Sequence, residues 1–108
     1  MSEVLEGFIE PYRDLADTDD AYERLLTLGM LAWNAALLPV DRRRTLIAET
    51  LEANFAMASR SDQALARETI ETLIRRKLEH FAENQRAILS FKLSHTRDGL
   101  HLSVASTL

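Results

Sequence analysis

Three arginines stand in a row at Arg42, Arg43 and Arg44, just after Pro39, Val40 and Asp41. Proline ends one helix and aspartate opens the next, so the guanidinium groups fall at a helix start. Backbone N–H groups are unpaired there and the helix dipole is positive, which makes the place a ready anion site. Arginines add forked donors for a phosphate or a carboxylate. The arrangement works against the dipole, at about 0.3–1 kcal/mol per exposed cation. Two plainer readings compete. The acidic run "DLADTDD", Asp14 to Asp20, lies nearby and neutralises the arginines, or they are simply solvated. None of these readings gives Arg42, Arg43 or Arg44 a part in folding.

A second basic run, "RRK", spans Arg75 to Lys77. Glu71, Arg75 and Glu79 follow one another at i,i+4 spacing, a ladder that supports an exposed helix by about 0.2–0.5 kcal/mol per pair. A solvated face is the expected reading of the whole run. Neither basic run has aromatic residues interleaved with it, so stacking on single-stranded nucleic acid lacks its partners. A net charge of −4 points the same way.

The histidines do not form a ligand pattern. His80 and Glu83 lie one helical turn apart, but two ligands are too few for a metal. His95 falls on the apolar face of a strand, where a core histidine is the expected outcome, and His101 falls on the opposite face. The chain has no cysteine, which excludes disulfides and thiolate sites. It holds no Gly-x-Ser-x-Gly, and its glycines, Gly7, Gly29 and Gly99, are too scattered to cradle a phosphate. No catalytic residue, metal or cofactor is expected.

Asn34 is different in kind. It follows Trp33 inside "LLTLGMLAWNAALLPV", Leu25 to Val40, the longest uncharged run. A buried amide left bare costs about 1–3 kcal/mol, so it must find partners. It can fix the register of neighbouring helices or of a dimer, or line a pocket, and the structural role is the expected one. The run has 16 residues, whereas a membrane span needs about 20. It therefore reads as a buried helix. The opening "MSEVLEGFIE" carries no Lys or Arg and does not read as a secretory signal. The cytoplasm is the expected compartment.

The elements that position these residues follow from periodicity. Val4, Leu5, Phe8, Ile9, Tyr12 and Leu15 form the stripe of a first helix, about 3–15, with Ser2 as N-cap. Pro11 is expected to break or kink it near Glu10. Asp17 or Thr18 caps a second helix, about 20–37. That helix is apolar all round in its second half, so other elements should surround it. Gly29 within it suggests close approach of a neighbour. A third helix, about 41–57, carries Leu46, Ile47, Leu51 and Phe55. A fourth, about 62–84, is capped by Ser59 or Ser61 and carries Ala66, Ile70, Leu73, Ile74, Leu78 and Phe81.

The period then changes to two, over about 87–106. Leu89, Phe91 and Leu93 alternate with polar residues, as do Leu100, Leu102 and Val104. Asp98-Gly99 is a strong signal for a type I′ hairpin turn. That turn sets Arg97 against Leu100, His95 against Leu102 and Leu93 against Val104.

The chain of 108 residues is thus read as one mainly α domain, four helices followed by a C-terminal antiparallel β-hairpin. The function that fits is non-catalytic, through protein–protein contacts and self-association. A homodimer is expected, with Leu89, Phe91, Leu93, Leu102 and Val104 of the hairpin taking part. Two alternatives stand beside it. One is a ligand-responsive or nucleic-acid-associated regulator with an anion site at Arg42, Arg43 and Arg44. The other is a small enzyme built around a histidine.

Overall fold

A computed structural model describes residues 1–107, with residue 54 described by its backbone alone. Four helices come first: α1 (Ser2–Arg13), α2 (Asp19–Ala36), α3 (Val40–Phe55) and α4 (Arg60–His80). A hairpin of β1 (Ile88–Thr96) and β2 (Gly99–Ser106) ends the chain. The fold is the expected α+β arrangement. Among the described residues, no helix is long and apolar enough to cross a membrane.

The uncharged α2 is the hub. It packs against α1, α3, α4 and β1, and Leu26, Ala32, Trp33 and Ala35 have no exposed surface. Gly29 is where α1 comes closest. A Cβ there would sit 2.6 Å from Ile9 Cγ2, inside van der Waals contact, so only glycine lets the two helices approach this far. Thr18 caps α2 by accepting from the Ala21 N–H, and Ser59 caps α4 by accepting from the Asp62 N–H. α1 starts at Ser2 itself, after Met1, with no side-chain cap.

Pro11 does not break α1. The helix runs through it to Arg13. Proline cannot donate to the Gly7 carbonyl four residues back, and α4 supplies the missing donor. Arg76 Nη2 reaches Gly7 O at 3.1 Å and Arg76 Nε reaches Phe8 O at 2.9 Å. The second basic run is therefore not one solvated face. Arg75 is exposed, Arg76 is half-buried against α1, and Lys77 is 2% exposed. Leu78, expected in the core, is 47% exposed instead.

The hairpin differs from expectation in two places. Thr96 pairs with Gly99, so the turn residues are Arg97 and Asp98, and Leu93 faces Leu102 while His95 faces Leu100. A type I′ turn needs positive φ at two adjacent residues. Among the described residues only Gly99 has it, at +111°. The Thr96 hydroxyl holds the turn, accepting from the Asp98 N–H and donating to the Gly99 carbonyl. The register moves by two residues, so the inward face is kept. The second difference is a bulge. Ile88 pairs with Ser106 and Ser90 with Ala105, leaving Leu89 extra. A bulge reverses the alternation below it. Ile88 is buried in consequence, and Leu89 is 66% exposed.

Candidate functional site

The structure disperses the residues that the sequence set apart. At the start of α3, Arg42 and Arg44 are exposed but Arg43 is half-buried. Its Nε donates to Ala35 O at 3.1 Å and its Nη2 to Leu38 O at 3.1 Å. These carbonyls lie at and just past the C-terminus of α2, where the dipole is negative, so a guanidinium is stabilised there. Arg43 thus takes part in folding, and the anion-site reading is left with two exposed guanidinium groups.

Asn34 meets the backbone of β1. Its Nδ2 donates to Ile88 O and its Oδ1 accepts from the Ile88 N–H, both at 2.8 Å. The amide takes the place of a neighbouring strand at one residue. Trp33 Nε1 donates to Arg86 O at 2.7 Å beside it. Adjacent side chains of α2 therefore seat the hairpin, and the pull on Ile88 accounts for the bulge above it. Leu102 is buried, and Phe91, Leu93 and Val104 are half-buried against the helical core. The apolar face of the hairpin is covered by helices of its own chain. Leu89 alone of the five residues faces solvent.

The histidines stay apart. His95 is exposed, not in the core, and its Nε2 lies 3.2 Å from Asp19 Oδ2. The strands outrun the helices that cover them, so every residue from His95 to His101 is exposed. His80 is exposed beside Glu79, at 3.9 Å. Among the described residues, no cluster of three or more His, Asp or Glu side chains is placed to hold a metal.

What the structure does assemble is a groove of about 470 Å³ at the far end of the bundle. Two inter-helix turns form its walls. Tyr12, Leu15 and Ala16 come from the end of α1, and Leu25 and Leu28 from α2. Phe55 and Ala58 end α3, and Leu65, Ala66 and Thr69 belong to α4. Arg24 and Asp62 are its charged residues. Leu15 is 77% exposed and Leu65 is 61% exposed. Met57, beside the α3 wall, is almost wholly exposed.

Both walls are pinned. Arg13 Nη1 donates to Ala16 O at 3.0 Å, and its guanidinium lies 4.0 Å from the centroid of the Tyr22 ring. Burial raises the Tyr22 hydroxyl above its ordinary pKa, and Glu6 adds to this, while the Arg13 charge opposes it. Gln63 Nε2 donates to Phe55 O and Ala58 O, at 3.0 and 3.2 Å, and closes the turn between α3 and α4. The volume lies in the range of preformed binding sites, roughly 300–1,000 Å³. Exposed leucines on an open, preformed surface suit protein recognition more than enclosure of a small molecule.

No family model, curated protein or solved structure matches the chain.

Sequence reasoning missed the groove because its walls come from four helices. Leu65 belongs to no apolar stripe, and that is its one local signal: an isolated large apolar residue on a polar face.

Proposed function

We propose that this protein is a non-catalytic interaction module that holds an apolar segment of another protein in the groove between its inter-helix turns. The exposed pair Leu15 and Leu65, on walls already pinned by Arg13 and Gln63, carries the reading. Ordering costs little at a preformed surface, so contact area there converts to affinity more fully than on a mobile one. The test is a photo-crosslinking residue in place of Leu65, used in the native host. One discrete adduct is expected, and adding Leu15→Gln should abolish it. No adduct at Leu65, or an adduct indifferent to Leu15→Gln, would overturn the reading.

Self-association through the hairpin is a second reading, favoured by Leu89. The bulge presents this leucine to solvent beside a two-stranded sheet whose outer edges pair with no further strand among the described residues. A free edge is a template for another strand. Asn34 covers the edge of β1 only at Ile88. Pairing about a two-fold axis along the rest of β1 would form a four-stranded sheet, and two-fold dimers are the commonest oligomers. Light scattering of the intact chain should give a dimer mass, and Leu89→Lys a monomer mass. A monomeric parent at micromolar concentration would end this reading.

A further inference from the structure

Resting on the groove reading above, we propose that the segment the groove holds is an amphipathic helix with a basic flank.

The choice of a helix follows from what the groove offers a backbone. Its lining is mostly apolar side chains of helices and turns, with Arg24, Asp62, Thr69 and the Tyr12 hydroxyl as the polar exceptions. An extended segment would bring unpaired N–H and C=O groups against that floor, and none of the described lining residues belongs to a strand that could receive them. A helix satisfies its backbone internally and presents apolar anchors at i, i+3, i+4 and i+7, the pattern of helix-in-groove recognition.

The basic flank follows from charge. Asp14 and Asp17 flank Leu15 and Ala16 in the turn after α1, Asp20 precedes Ala21 at the start of α2, and Asp62 stands in the opposite wall. All four are exposed. The cations close by do not balance them. Arg13 is folded back on Ala16 O and the Tyr22 ring, which leaves Arg24 in the groove itself and the exposed Arg67 next to Ala66 against four carboxylates. Lysines or arginines along the solvent side of a docked helix would meet this rim at short range. Such pairing sets orientation and the rate of encounter, and it weakens with salt. An apolar acid, such as a fatty acid, would gain from Arg24 but face the same carboxylates.

The experiment uses two labelled peptides with the same leucine pattern, one filled with lysine and one with glutamate. Binding to the intact chain is followed by fluorescence anisotropy, and peptide helicity by circular dichroism. The lysine peptide should bind about tenfold or more tightly than the glutamate peptide at low salt, with the gap narrowing as salt is added. It should become helical when bound. Two variants complete the test, and each changes only exposed residues. Leu15→Gln with Leu65→Gln should abolish binding without changing charge. Asp14→Asn with Asp17→Asn and Asp20→Asn should bring the two peptides close together in affinity. Equal binding of both peptides, lost in the leucine variant, would overturn the basic flank and leave the groove standing. Lysine-peptide binding that survives the leucine variant would overturn both readings, because charge alone would then hold it. Failure of both peptides to bind, or a bound peptide that stays non-helical, would overturn the proposal.

Discussion

Trp33→Ala is expected to remove most of the stability of the domain. The indole is wholly buried and sits edge-on to two other rings, Phe8 at 5.3 Å and Phe81 at 5.7 Å between centroids. Those two also meet each other at 5.6 Å, so α1, α2 and the residue after α4 share one aromatic contact. Emptying a buried aromatic site costs about 3–5 kcal/mol. The Arg86 carbonyl also loses its donor, at about 1 kcal/mol or more. Whole domains are stable by only about 5–15 kcal/mol. Urea unfolding followed by far-UV circular dichroism should show a midpoint shifted far down, or no folded baseline. Trp33→Phe separates the two contributions, since it keeps a ring and loses the hydrogen bond. It should fall between the parent and the alanine variant. An alanine variant that unfolds at the parent's midpoint would mean that the ring cluster is not the centre of the core.

The helices were legible in the sequence because their ends are marked. Thr18 and Ser59 cap, Pro39 stops, and the stripes between them keep a helical period. The hairpin was legible because a period of two replaces that of 3.6 after α4. Its details were not, and the reason is tertiary. Parity along β1 turns on Asn34, more than fifty residues away in sequence, gripping Ile88. Local alternation puts Leu89 inside, and the grip on Ile88 puts it out. Pro11 failed as a helix breaker for a similar reason, since its missing donor is replaced by Arg76 of another helix.

The cations show a more general limit. Periodic reading assigns charge to the surface, yet Arg43 and Lys77 both lie on apolar stripes. Arg43 precedes Ile47, Leu51 and Phe55 at intervals of four, and Lys77 continues the spacing of Ala66, Ile70 and Leu73 toward Phe81. Their aliphatic stems fit the core while their heads find carbonyls. Position on the stripe was the available signal, and it outweighs residue type when free helix-end carbonyls lie within reach. The groove left a fainter trace. Leu15 continues a stripe and Leu65 belongs to none, and only the packing of the helices brings both to one groove.

Lys77 gives the sharpest expectation that follows from this. Its Nζ donates to Phe81 O at 2.6 Å and to Asn84 O at 2.7 Å, and it lies 4.3 Å from the centroid of the Trp33 ring. The two carbonyls close the chain after α4, and the ring face takes the remaining charge. Lys77→Glu should abolish folding. It would set a carboxylate against two carbonyl oxygens, and a buried unpaired ion costs several kcal/mol. Lys77→Met keeps the stem and should fold, at a cost of about 1–3 kcal/mol for the lost charged hydrogen bonds. Burial also holds the ammonium below the ordinary lysine pKa. At neutral pH the native state bears the full cost of a buried charge. As pH rises through the lowered pKa toward 10.5, the unfolded chain binds more protons than the native one, so stability rises. Tyr22 works in the opposite sense. Its raised pKa makes the native state hold its proton longer, and stability falls as pH climbs past 10.0. The comparison therefore belongs between about pH 8 and pH 10, parent against Lys77→Met, with stability read from urea midpoints. The parent's advantage over Lys77→Met should widen with pH across that window. A constant gap would mean that the two carbonyls and the Trp33 ring offset the burial of the ammonium in full.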